Sequence, residues 1–249
     1  MAQQKHLDNP PILEAIIDFR VITKPSFDFS SIKQLEVEFQ DEYLALEPLR
    51  QFEASLRVKQ GQPVHQSFEL KDIHTYRMPS KDGKQIALFK KDGFTFSRLA
   101  KYTSWNDVFH IASRLWLRYA NVVPIEEIQR LAVRYVNRIL LPFPLLGGLE
   151  EFLEVYPNLP LEKNQMLETF LSRYMISDVS RDASAIITQA LEPVGEDIKT
   201  PLIFDIDVFK EASFGHNAKA VLAHFENLRE IKNSIFFDSL KEKALELFS

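Results

Sequence analysis

Two Asp-Gly dipeptides, Asp82-Gly83 and Asp92-Gly93, stand between three strand-like runs: Gln66 to Met78, Gln85 to Lys90 and Phe94 to Leu99. Asp-Gly supplies the positive φ that tight hairpin loops need. The three runs are therefore expected to form an antiparallel meander with a tight turn at each dipeptide. Phe52 to Val58 reads as one more strand ahead of it.

Period-two alternation marks two further strands. Leu13, Ala15, Ile17, Phe19 and Val21 fall on one face, with Glu14, Asp18 and Arg20 on the other. Leu131, Val133, Tyr135 and Ile139 alternate in the same way with Arg130, Arg134 and Arg138. A face of apolar residues backed by charges is a half-buried strand. Glu168 to Ile176, Ala185 to Leu191 and Leu202 to Phe209 read as strands too.

Helical spacing lies between them. Ser30 or Ser31 is placed to cap a helix through about Leu44, with Ile32, Leu35 and Phe39 inward. Ser104, with Asp107 three residues on, opens a variant capping box. The helix it starts buries Val108, Ile111, Ala112, Leu115, Trp116 and Tyr119 and ends near Asn121, before Pro124. Leu149 to Val155 reads as a short helix. A long helix runs from about Asn217, with Val221, His224, Phe225, Leu228, Ile231 and Ile235 inward, and restarts at Ser239. Phe236, Leu240, Leu245 and Phe248 are too apolar for a solvated tail. They are expected to close the core or to bury against a second copy.

The fold class that follows is α+β: an antiparallel sheet with long helices packed on one face. Residues 1–9 form a polar lead, expected to be mobile. Residues 10–123 follow the order β-α-β-β-β-β-α, and residues 124–249 the order β-α-β-β-β-α. Two readings stay open. One is an internal duplication, with two similar units joining their sheets edge to edge. The other is a single irregular domain of 249 residues.

Composition removes several functional classes. The chain has no cysteine, which excludes disulfides, thiolate catalysis, cysteine-bound zinc and iron–sulfur clusters. Seven glycines leave no supply for a phosphate-binding loop, and no motif calls for a cofactor. A net charge of −5 gives no global attraction to nucleic acid or to an anionic membrane. The first residues lack the apolar run of a signal peptide, and Ile139 to Leu149 is too short to span a bilayer, so a cytoplasmic location without a membrane partner is expected.

Several stretches, spread over nearly the whole chain, carry a resemblance to one family. They are Asn9-Pro10-Pro11-Ile12-Leu13-Glu14-Ala15, Gly93-Phe94-Thr95-Phe96-Ser97-Arg98-Leu99 with Tyr102-Thr103-Ser104-Trp105, Arg134-Tyr135-Val136-Asn137-Arg138-Ile139, Asp205-Ile206-Asp207-Val208-Phe209, and Phe236-Phe237-Asp238-Ser239-Leu240 with Glu242 to Phe248. On these the chain resembles the sporadically distributed family of conserved hypothetical bacterial proteins. That family is uncharacterised, so the resemblance implies no catalytic residue, cofactor or partner. Its patchy occurrence implies a dispensable accessory gene.

Two side-chain groups invite a functional reading. Arg130, Arg134 and Arg138 project from one strand face, each about 13 Å from the next. Such a stripe can grip phosphates, or it can pair with Glu14, Asp18, Asp205 and Asp207 in an interstrand network. Asp205 and Asp207 lie about 7 Å apart on one strand face. They can hold a divalent cation or pair with arginines. His110 and His224 read as core or boundary histidines, and no histidine pair has metal-ligand spacing. No nucleophile can be matched to a base, which leaves catalysis undecided.

Three functional classes follow. The first is a non-enzymatic binding or assembly protein acting through protein contacts, including a homodimer. The second is a nucleic-acid or nucleotide binder using the arginine face. The third is an enzyme of unrecognised type.

Overall fold

A computed structural model describes residues 7–57, 65–99, 101–145, 148–160, 165–193 and 199–248, with the backbone alone described over 51–57 and 65–71. Its nine strands are β1 (Ile12–Thr23), β2 (Glu47–Arg57), β3 (His65–Pro79), β4 (Gln85–Lys90), β5 (Gly93–Arg98), β6 (Ile125–Pro142), β7 (Phe170–Asp178), β8 (Ala183–Leu191) and β9 (Lys199–Glu211). They form one antiparallel sheet in the order β2-β3-β4-β5-β1-β6-β9-β8-β7. The expected meander is present as β3-β4-β5, and a second one runs β7-β8-β9. β1 and β6 meet at the centre, each beside the last strand of its own meander.

The helices lie on one face. They are α1 (Gln34–Phe39), α2 (Trp105–Val122), α3 (Phe225–Ser239) and α4 (Glu242–Leu245). Beneath them the inward residues of the sheet form one continuous core running through both halves. Its centre is aromatic. Trp116 stacks on Phe19 with ring centroids 3.9 Å apart, and Phe94, Tyr119 and Phe225 surround the pair. The polar ends are satisfied: Trp116 Nε1 donates to the Ala218 carbonyl at 2.9 Å, and the Tyr119 hydroxyl to that of Lys90 at 2.8 Å. Such rings add large buried area in fixed orientations. Val108, Leu115, Trp116 and Tyr119 are buried as expected, whereas Ile111 is half-buried.

Turn chemistry departs from the expectation in an instructive way. Asp82-Gly83 lies in the loop 81–84, where Gly83 has φ +69° and Asp82 accepts from the Ser80 hydroxyl and the Lys84 amide. At the second site the loop residues are Lys91 and Asp92, because Lys90 already pairs with Gly93. Gly93 opens β5 without a positive φ. It must be glycine for another reason: a Cβ there would lie 2.1 Å from the Phe19 carbonyl oxygen of β1. The constraint is strand-to-strand approach, not turn geometry.

Other boundaries move for local reasons. Asp28, not Ser30 or Ser31, caps the first helical segment, and that segment is a 3-10 turn over Phe29–Lys33 followed by the short α1. The helix expected over Leu149 to Val155 is a single 3-10 turn, Leu149–Glu151. Asn217 Oδ1 accepts from the amides of Lys219 and Ala220, so the chain enters α3 through a 3-10 turn, Ala220–His224. Leu13 is 46% exposed, because a register shift between Ile12 and Glu14 turns it outward.

The two ends are fastened together. The Asn9 amide donates to the Phe248 carbonyl at 3.0 Å, and Leu7 packs on the core. The part of the expected mobile lead that is described, from Leu7, is thus held; residues 1–6 lie outside the described residues. Phe236, Leu240 and Phe248 are buried, so the C-terminal segment closes the core. No helix of the described residues is long and apolar enough to cross a membrane.

Candidate functional site

The arginine stripe lies on the sheet face opposite the helices, and each arginine meets an acid. Arg130 is the most enclosed. Its guanidinium is 3.4 Å from Asp18, 3.0 Å from Asp207 and 3.8 Å from Glu211, and it lies 4.4 Å from the Phe209 ring centre. Asp18 also accepts from Lys90 at 3.2 Å and from the Thr95 hydroxyl at 2.6 Å. A chain of alternating charge therefore crosses β4, β5, β1, β6 and β9. Arg134 grips Asp205 with two bonds, at 2.9 and 2.7 Å. Arg138 is 4.0 Å from Glu192 and half-exposed. Glu14 contributes only at longer range, favouring the charged form of Arg134.

The same contacts occupy the acid pair. Both oxygens of Asp205 accept from Arg134, and Asp207 accepts from Arg130. Burial pushes the Asp207 carboxyl above its ordinary range against the pull of Arg130 and Arg134. Among the described residues no cluster of three His, Asp or Glu is placed to hold a metal ion. The arrangement is that of an interstrand network, in which charges taken from water are compensated by neighbours. His110 and His224 are both exposed, the latter edge-on to Phe214, which corrects their reading as core or boundary residues.

A different site lies on the helix side. A cavity of about 340 Å³ opens between the N-terminal segment (Leu7, Pro11, Ile12), the approach to α2 (Tyr102, Ser104, Trp105), β6 (Tyr135, Asn137) and α3 (Arg229, Lys232, Phe236). Lys232 is its unusual member. It occupies the apolar stripe of α3 between Leu228 and Phe236 and is 9% exposed. Its Nζ lies 3.9 Å from the centre of the Tyr135 ring. Among the described residues it has no hydrogen bond and no acid within ion-pair reach. Burial, then the neighbouring Arg229 charge, push its ammonium down to about 7.

The surrounding groups are held in place. The Tyr135 hydroxyl bonds to the Tyr102 hydroxyl at 3.3 Å, and burial drives the Tyr135 phenol far above its usual range, so it stays protonated. Arg229 pairs with Glu226 at 2.6 Å and lies over the Trp105 ring, while Trp105 Nε1 donates to the other oxygen of Glu226 at 3.1 Å. Asn137, 2% exposed, donates to the carbonyls of Phe204 and Tyr135. The site therefore offers an unpaired amine, an arginine paired with Glu226, the carboxylate of Asp8, two phenols and an aromatic wall. A larger cavity of about 540 Å³, beside Phe143, Leu149, Tyr156 and Leu191, brings only the acids Glu150 and Glu168 as charges among its described lining residues. The smaller cavity carries the chemistry.

Sequence reasoning missed Lys232 and Arg229. The available signal was a lysine four residues after Leu228 and four before Phe236, on the stripe expected to face inward. No protein-family model and no curated protein matches the chain.

Proposed function

We propose that this chain is a binding protein whose Lys232 cavity takes a small organic anion. One observation carries this reading: an amine nine-tenths buried and open to a cavity, with no acid within ion-pair reach among the described residues. A buried charge without a counter-charge is costly unless something else supplies one. A ligand carboxylate or phosphate would do so, with Arg229 as second cation. Such a ligand stabilises the folded chain by mass action. The test is a thermal-shift and calorimetric screen of small mono- and dicarboxylates and phosphates, with mass analysis of what the purified chain releases on denaturation. At least one anion should raise the midpoint and bind, and Lys232→Met should abolish that binding. If no anion binds and nothing is released, the reading fails.

The reading through protein contacts keeps one supporting observation. β7 is a free sheet edge, and Leu171 (75% exposed), Met175 (59%) and Val179 (91%) stand out along it and its turn. A second copy pairing edge to edge would cover them. Sedimentation velocity over rising concentration should then show a dimer that Met175→Lys disperses; a monomer throughout would remove this reading. The nucleic-acid reading needs free arginines on the stripe, and Arg130, Arg134 and Arg138 each have an acid in reach. An internal duplication is supported by the matched positions of β1, β5 and α2 in the first half and β6, β9 and α3 in the second.

A further inference from the structure

We infer that Lys232 is a nucleophile toward the carbonyl of a small oxo acid, forming an imine in its cavity while Arg229 holds the ligand carboxylate. The inference rests on the anion-binding reading and specifies the ligand's chemistry. A lysine serving only as an anchoring charge works best with its ammonium intact. This one is placed to give up its proton. It is removed from water, it has no acid partner among the described residues, and a second cation stands one helical turn away at position 229. Desolvation and a neighbouring cation are the two means by which a lysine amine becomes nucleophilic near neutrality. The Tyr135 ring face opposes them, since it favours the charged form. Burial and Arg229 push the ammonium down to about 7, which brings the neutral amine within reach of physiological pH.

The groups lining the cavity suit the reaction. Asp8 comes from the N-terminal segment and lies outside ion-pair reach of Lys232; Tyr102 comes from the approach to α2, Tyr135 and Asn137 from β6, and Arg229 and Asn233 from α3. Positions three apart on a helix place side chains about 5–6 Å apart at Cβ. A 2-oxo acid, whose carbonyl and carboxylate carbons are bonded, fits between such a pair. The Nζ lone pair attacks the carbonyl carbon, and the C=O electron pair moves to oxygen, which takes up the proton lost from nitrogen. The carbinolamine then expels its hydroxyl, protonated as water, while nitrogen loses its second hydrogen and forms C=N. The sum is amine plus carbonyl giving imine plus water, with no change of oxidation state. The hydroxyl pair of Tyr102 and Tyr135 lines the cavity and can relay the proton to the departing oxygen.

The experiment uses the full chain, pyruvate as the probe and sodium cyanoborohydride to reduce any imine to a stable secondary amine. Intact mass and peptide mapping locate the adduct. One adduct is expected, on the peptide containing Lys232, formed at least about tenfold faster than on surface lysines and absent from Lys232→Arg. Arg229→Gln leaves the amine in place. It should slow labelling by pyruvate more than by acetaldehyde, which has no carboxylate and feels only the loss of the Arg229 charge that lowers the ammonium. Adducts spread over surface lysines, or unchanged in Lys232→Arg, overturn the inference. If small carboxylates still bind by calorimetry in that case, the anion reading stands and only the imine falls; if they do not bind either, both fall.

Discussion

On the open face of the sheet Arg130 sits among Asp18, Asp207 and Glu211; on the helix face Lys232 sits among Tyr102, Tyr135 and Arg229. Both cations are about nine-tenths buried. Only the first is compensated within the described residues. A buried cation among acids is part of the fold, because removing it strands the acids. A buried cation without an acid works against the fold and is accounted for by what it can meet. Burial is the same in the two regions and both side chains are basic, so the contrast lies in the partners and in how readily each group gives up its proton.

The largest effect expected from breaking this contrast is at Arg130. Arg130→Met should lower stability by about 3–5 kcal/mol in urea unfolding, since Asp18 and Asp207 are left enclosed with less compensation. Arg134→Met, where the guanidinium is half-exposed although Asp205 is mostly covered, should lose less, about 1–2 kcal/mol. Equal losses at the two positions would mean that the enclosure of Arg130 carries no weight.

At Lys232 the sign reverses. Lys232→Met should raise stability by roughly 1–4 kcal/mol near neutral pH, since a methionine there buries no charge. The pH dependence follows from linkage. The folded ammonium titrates at about 7 and the unfolded one at its ordinary 10.5, so between these values the unfolded chain binds more protons. Stability of the unsubstituted chain should therefore climb as pH rises through that window, by up to about 1.4 kcal/mol per pH unit, relative to Lys232→Met. Parallel stability curves for the two chains would show that Lys232 is not desolvated in solution. A Lys232→Met protein less stable than its parent would place a counter-charge beside the amine.

Much of the fold can be read from local pattern. Strands β1 and β6 are legible as alternation, β4 and β5 as runs bounded by the Asp-Gly dipeptides, and α2 as a capped stripe, because each feature depends on residues a few positions apart. Helix ends are less legible. Asp28 and Asn217 open 3-10 turns where a longer helix was expected, and this choice rests on side-chain bonds to neighbouring amides. Gly93 shows the limit most clearly. Its dipeptide reads as a turn, but the demand for glycine comes from Phe19, seventy-four positions earlier, across the β1–β5 pair.

The sequence by itself determined the class of architecture, the helix-facing residues of the central strands and the candidate acids for Arg130 and Arg134, since alternation assigns whole faces. It also placed Lys232 on an apolar stripe without saying what that lysine would face. Only the tertiary structure decided that Arg130 lies between acids from β1 and β9, while Lys232 lies over a tyrosine from β6 and beside an arginine of its own helix. The physical reason is that a charge's free energy depends on the medium and on partners within a few ångströms. Those partners come from strands and helices far apart in sequence, so a buried basic side chain becomes a fixture of the fold in one place and, as proposed, a reactive group in another.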